Sequence, residues 1–96
     1  MGNKKSYVYI LTNKSNKVLY IGVTSDIKGR IYKHKTKYYK GFTSKYCVDK
    51  LIYYEQHSSI CEAIKREKLL KKWCREWKLD LVKGFNSEFC DLYELL

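Results

Sequence analysis

One carboxylate in this chain stands where a helix would ask for an apolar side chain. The stretch SICEAIKREKLLKKWCREW places Ile60, Ala63/Ile64, Leu70, Cys74 and Trp77 on one helical stripe. Glu67, three residues after Ile64 and three before Leu70, completes that series, so its carboxylate turns toward the sheet side of the helix. An unpaired carboxylate in such a place is costly, and it has three ways out: it neutralises, pairs with a nearby Lys or Arg, or holds a metal ion. Two other sets of residues are placed for chemistry. Tyr9 and Tyr20 lie on adjacent strand-like segments, YVYIL and VLYIGVT, with Gly22 weakening the second of them. Arg30 and His34, four residues apart, share one stripe of a following helix. Taken singly, each set has an ordinary explanation: strand tyrosines pack, and a basic helix face is solvated.

The elements that must hold these residues can be read along the chain. Residues 7–12 alternate faces in the strand manner, with Tyr7, Tyr9 and Leu11 on one side and Val8 and Ile10 on the other. Asn13-Lys14-Ser15-Asn16 is turn chemistry, and residues 18–23 form the second strand of an antiparallel hairpin. A turn closing over Lys14-Ser15 would set Tyr9 opposite Tyr20, on one face. Thr24 or Ser25 can cap a helix over roughly 26–36, with Asp26 at its positive end and Ile27 and Ile31 as its core stripe. Gly29 within that helix costs about 1 kcal/mol relative to alanine. A basic loop over 37–48 leads to a strand at 50–55. Ser59 and Glu62 then form a capping box that opens a helix running to about Trp73 or beyond. A short helix is expected over 77–82, ended by Gly84.

Length and composition bound what such a chain can be. Its 96 residues, 45% hydrophobic and 16% aromatic, suit one α+β domain over 1–96 with residues 1–6 as a flexible tail. No apolar run approaches a membrane span, and MGNKKS lacks a signal-peptide core, although Gly2 and Ser6 match a short myristoylation pattern. Cys47, Cys61, Cys74 and Cys90 are widely spaced with no CxxC pair, which speaks against a zinc or redox site and fits reduced thiols in the cytoplasm. The net charge of +10 is unevenly placed: residues 27–46 hold seven Lys or Arg and no acid, and residues 65–78 hold seven against two acids. Two such clusters suggest a surface for a polyanion. The aromatics Tyr32, Tyr38, Tyr39, Phe42 and Tyr46 among these lysines suit bases and sugars.

Taken together, YVY at 7–9, YIG at 20–22, Arg30, His34 and the glutamate of KRE at 65–67 resemble the GIY-YIG nuclease family. The closer likeness is to its small standalone members of the UPF0213 kind, through NKSNKVLYIGVT, KLIYYE and an end of the form FN…DLY. The chain departs from the family's first motif in having Tyr7 where the name has glycine, and Val23 stands where some branches carry lysine. The resemblance implies a small central antiparallel three-stranded sheet flanked by helices, and a phosphodiester-cleaving site. It makes Tyr9, Tyr20, Arg30, His34 and Glu67 the catalytic set, and Glu67 the ligand of a single Mg²⁺ or Mn²⁺ ion. Asn86 is implied as a late polar residue near the site, and Gly22 as a position left open for substrate or metal.

The partner implied is DNA, with RNA as the alternative, gripped by Lys28, Lys33, Lys35, Lys37, Lys40, Lys45 and Arg66. A targeting protein would supply any further specificity. In such a site Arg30 suits a nonbridging phosphate oxygen, and the metal stabilises the leaving oxygen. Either Tyr20 or His34 acts as the base, since a free phenol with a pKa near ~10 is a poor one at neutral pH. The rival readings are a catalytically idle DNA- or RNA-binding module of the same fold, and a protein-binding module whose lysines only solubilise it.

Overall fold

The computed structural model describes residues 5–96. The element order is β1 (Ser6–Thr12), β2 (Leu19–Thr24), α1 (Ile27–Lys35), α2 (Phe42–Lys45), β3 (Lys50–His57), α3 (Ile60–Lys72), α4 (Arg75–Phe85) and a closing 3₁₀ turn (Leu92–Leu95). The three strands form one antiparallel sheet in the order β2-β1-β3, as the family resemblance implies. β1 begins at Ser6, which is buried, so the tail read over 1–6 gives way to strand by that residue. Gly2 of the myristoylation pattern lies outside the described residues. No helix among the described residues is long and apolar enough to cross a membrane. All four cysteines are free and exposed.

Because β1 is the central strand, both of its faces are covered, and Val8, Tyr9, Ile10 and Leu11 are all fully buried. Val8, Ile10 and Ile21 pack against Ala63 and Leu70 of α3 and Val82 of α4. Tyr9, Leu11 and Leu51 pack on the other face against Ile27 and Ile31 of α1, with Val48 and Leu92. Strand alternation thus sends Tyr7, Tyr9, Leu11 and Tyr20 to the α1 side and Val8, Ile10 and Ile21 to the α3 side.

The hairpin register differs from the sequence reading by two residues. Tyr9 lies opposite Gly22, and Tyr20 lies opposite Leu11. The connection spans residues 13–18 and is organised by Asn13, whose Oδ1 accepts from the N–H groups of Lys17 (2.8 Å) and Val18 (3.3 Å). Asn16 takes the left-handed conformation at φ 60°, which asparagine tolerates better than most residues. A shift of two keeps every side chain on its face, so the tyrosines still share one side of the sheet.

The glycine in β2 has a packing cause. A Cβ on Gly22 would lie 2.4 Å from the Tyr9 hydroxyl and 2.5 Å from its Cζ. The position is therefore filled by the Tyr9 ring and is not left open for substrate or metal. Gly29 is explained in the same way: Asp26, and not Thr24 or Ser25, caps α1, its carboxylate accepting from the Gly29 N–H at 3.1 Å. A Cβ there would lie 2.3 Å from Asp26 Oδ2.

The 50–55 strand extends to His57 and carries a bulge: Ile10 pairs with Tyr53 but Leu11 with Leu51, leaving Ile52 over. Ser59 caps α3 as read, accepting from Glu62 N–H at 3.2 Å. α3 stops at Lys72, because Trp73 turns extended, and α4 starts at Arg75, earlier than expected, running past Gly84 to Phe85. Cys74 and Trp77 consequently leave the helical stripe and are exposed.

The C-terminal segment ties α1 to the sheet. Asp91 Oδ1 accepts from Leu51 N–H at 3.2 Å, and its Oδ2 pairs with Lys35 Nζ, which also donates to the Asp49 carbonyl at 3.1 Å. Gly22→Ala is expected to lower unfolding stability by about 1–3 kcal/mol, the usual range for overpacking a filled core site. Urea denaturation measures it. A stability equal to the parent's would show that the Tyr9 ring is not locked over this position.

Candidate active site

Tyr9 is a wholly buried phenol, and its hydroxyl needs a partner. It finds His34 of α1, with Tyr9 Oη 3.2 Å from His34 Nε2. The other imidazole nitrogen, Nδ1, lies 3.2 Å from Thr43 Oγ1 of α2. One polar chain therefore joins the central strand, the first helix and the basic loop.

The protonation states in this chain follow from burial. Burial pushes the Tyr9 phenol well above its ordinary range, nearby Tyr20 adds to the rise, and Arg30 only partly opposes it. Tyr9 is thus held protonated. Burial also holds the His34 imidazole below its ordinary pKa; Arg30 adds to this depression and Asp49 opposes it. A neutral imidazole has one N–H and one lone pair, so the chain has two directions. Tyr9 donates to Nε2 while Nδ1–H donates to Thr43, or Thr43 donates to Nδ1 while Nε2–H donates to Tyr9.

Beside this chain is a cleft of about 180 Å³ lined by Tyr20, Arg30, His34, Tyr39, Lys40, Phe42 and Thr43. No carboxylate lines it, while Arg30 and Lys40 bring two cations to it. The Tyr20 ring centroid lies 5.6 Å from that of His34 and 6.4 Å from that of Tyr9. Tyr39 closes one side, with its ring 4.9 Å from His34 and the Arg30 guanidinium 5.4 Å from its centroid. A second hollow on the far side of Arg30 and Tyr39 is lined by Thr24, Ser25, Asp26, Gly29 and Lys33 as well.

The structure therefore brings together Tyr9, Tyr20, Arg30 and His34. It adds Tyr39 and Thr43, which sequence reasoning did not place in the site. Tyr39 was visible only as one of several aromatics among lysines. What delivers it is a reversal of the chain after α1, with left-handed backbone at Lys37 (φ 58°) and Cys47 (φ 53°) and a further positive φ at Gly41. Neither Lys37 nor Cys47 advertises that conformation by its type.

Glu67 has the inward orientation expected of it, but it is not in this cleft. It lies between the buried Ala63 and Leu70 with its side chain 16% exposed, and its carboxylate pairs with Lys71 at 3.0 Å. α3 packs on the face of the sheet formed by Val8, Ile10 and Ile21, whereas the hairpin tyrosines point to the opposite face. The expectation that Glu67 stands beside the two phenols is corrected accordingly: side-chain alternation in β1 and β2 puts the sheet between them.

Other expected site residues have structural work. Asn86 caps the end of α4, donating from Nδ2 to the carbonyls of Ile52 (3.1 Å) and Cys90 (2.8 Å) and accepting from Cys90 N–H (3.2 Å). It ties the C-terminal turn to the β3 bulge and does not line the cleft. Arg66 is engaged by Glu55 at 2.9 Å and lies 5.4 Å from the Trp73 ring, so its charge is already used. Glu55 also accepts from Tyr53 (2.5 Å) and meets His57 Nε2 at 2.7 Å. Burial alone would raise the Glu55 pKa, but these partners outweigh it and hold the carboxyl below its usual range. Lys35 is held by Asp91, and Lys37 donates to Cys47 Sγ at 3.3 Å. Lys28, Lys33, Lys40 and Lys45 remain at the surface of the α1–α2 side, Lys33 over the Tyr38 ring and Lys45 over Tyr46.

The depressed His34 pKa fixes the sign of one pH effect. The unfolded chain takes up a proton near the ordinary histidine pKa of ~6.5, while the folded chain does so only at lower pH. His34 therefore costs stability as pH falls through that window, because the unfolded state binds more protons. The urea midpoint is expected to drop between about pH 7.5 and pH 5.5, and to drop less in His34→Gln. Equal slopes in the two proteins would place the imidazole in an ordinary, solvated setting.

Comparisons with known proteins agree with this frame. Residues 5–80 match the GIY-YIG catalytic domain. A UPF0213 protein of Syntrophus aciditrophicus is 40% identical over 80 residues, covering 82% of this chain and 91% of that protein. A UPF0213 protein of Streptococcus agalactiae is 35% identical over 83 residues, covering 86% of this chain and 93% of the relative. The solution NMR structure of the UPF0213 protein BH0048 from Bacillus halodurans superposes with a TM-score of 0.52 at 31% identity, over 82% of this chain and 83% of that one. With the hairpin tyrosines, the helix arginine and the histidine assembled on one sheet face, this chain belongs to the GIY-YIG nuclease family.

Proposed function

We propose that the chain is an endonuclease that hydrolyses phosphodiester bonds in DNA with weak sequence preference, acting in the cytoplasm, in repair or recombination. The observation that carries this reading is the convergence of Arg30, Tyr20 and His34 on one cleft that has cations at its rim and no acid in its lining. A phosphodiester fits such a place. Arg30 offers a permanently charged, planar donor set to a nonbridging oxygen, and Lys40 adds charge at the rim.

The chain's own groups divide the proton work. Tyr9, held protonated, serves as a positioning group that fixes the imidazole. Tyr20 lines the cleft and is the phenol that reaches the attacking water. His34, kept neutral, has its one lone pair engaged by Tyr9 or by Thr43, and it takes a proton that Tyr20 passes on when the Thr43 hydroxyl turns away and leaves Nδ1 open. Arg30 stabilises the charge that builds on the phosphate.

Nucleases of this family are generally metal-dependent, and Glu67 is the residue that fits a hard cation here. Its carboxylate is turned inward, and its lysine partner is a half-exposed side chain that can be displaced. Among the described residues no group of three or more His, Cys, Asp or Glu could hold an ion by itself. Glu67 would thus supply one oxygen, with water supplying the others, as Mg²⁺ or Mn²⁺ prefers. Bound there, the ion would lie on the α3 face, across the sheet from a phosphate at Arg30, and would not reach that phosphate's leaving oxygen.

The separation of Glu67 from the cleft favours one second reading, a nucleic-acid-binding module of the same fold that does not cut. Nicking of supercoiled plasmid with Mg²⁺ or Mn²⁺ decides between them. The nuclease is expected to nick only with the ion, and Arg30→Ala is expected to slow it by about 10²-fold or more; Glu67→Ala is expected to slow it to that extent only where the required ion is the one on this carboxylate. Binding without nicking in either ion supports the module. An Arg30→Ala variant that nicks as fast as the parent would mean that the scission occurs elsewhere.

A further inference from the structure

The cleft has a neighbour that phosphate chemistry does not use. Phe42 lines it, yet its ring is 51% exposed. An apolar ring so exposed at the rim of a cationic cleft is out of keeping with a solvated lysine face. The nearby rings are occupied: Tyr39 lies between Arg30 and His34, Tyr38 has Lys33 over it, and Tyr46 has Lys45 over it. Phe42 packs on Tyr46, with centroids 5.1 Å apart at 52°, and no cation stacks on it among the described residues. It is a propped aromatic surface, open to solvent and flanked by Lys40 and Lys45.

We propose that Phe42, supported by Tyr46, is a nucleobase subsite that stacks one unpaired base beside the phosphate held at Arg30. The inference rests on the nuclease reading of the cleft and names its substrate class. A base inside a duplex covers both of its faces with neighbours and offers a protein only its edges. A ring that stacks in this way therefore needs a base that is single-stranded, in a flap, or frayed at an end. The lysines beside the ring match the backbone charge of such a strand, and Phe42, which has no polar atom, reads no base identity. Weak sequence preference follows from that.

The test is binding without cleavage, in EDTA, with a short single strand carrying 2-aminopurine and with a blunt duplex of the same sequence. The single strand is expected to bind at least about tenfold more tightly, with its fluorescence quenched on binding. Phe42→Ala is expected to weaken single-strand binding about tenfold and to relieve the quenching, in line with the usual cost of losing one stacked base. Phe42→Trp should restore both. Leu95→Ala, which removes an exposed apolar side chain of the C-terminal turn outside the cleft, should change neither. Equal affinity for the two forms, with Phe42→Ala unaltered, overturns the subsite and leaves the nuclease reading in place. Failure to bind either form at low salt overturns both.

Discussion

A tyrosine hydroxyl sealed in the middle of the molecule governs how the rest is arranged. Tyr9 sits on the central strand with its ring over Gly22, where no side chain fits, and its oxygen must be satisfied inside the protein. His34 satisfies it, and Thr43 satisfies His34. That requirement draws α1 onto the hairpin face and then draws the loop after α1 back over the helix. The cleft between Tyr20, Arg30 and Tyr39 is what this folding back leaves open.

The charge of +10 is divided between structure and surface. Arg66 is held by Glu55 on the α3 side, and Lys35 joins Asp91 so that the C-terminal segment grips the helix bearing Arg30 and His34. Asn86 fastens the same segment to the β3 bulge. These ties account for why a late asparagine and an aspartate matter to a site they do not line. Arg30, Lys33 and Lys40 border the two hollows, and Lys28 and Lys45 are exposed on the same side of the molecule. A polyanion would meet these cations first.

Much of this was readable from the residues, and the failures have physical causes. The strand alternation at 7–12, the Ser59 N-cap and the inward turn of Glu67 are local patterns, and each holds. The hairpin register missed by two because Asn13 organises a longer connection than a tight turn over Lys14-Ser15. Gly22 looked like space for a ligand because nothing in a linear pattern shows that a tyrosine from the next strand will fill it. Glu67 was placed beside the phenols because helical spacing tells which way a side chain turns, but not which face of the sheet the helix covers. Tyr39 and Thr43 arrive through left-handed backbone at Lys37 and Cys47, which no spacing rule anticipates.

The nuclease chemistry proposed for this scaffold depends on the buried chain presenting a neutral imidazole to the cleft. The most direct measurement is the ¹H–¹⁵N spectrum of the histidine rings during titration with a short DNA strand in EDTA. His34 is expected to stay neutral, in one tautomer, to a lower pH than an ordinary imidazole, and to shift on binding together with the Arg30 side chain. A charged, freely titrating His34 ring that stays unmoved while DNA binds would contradict that chemistry.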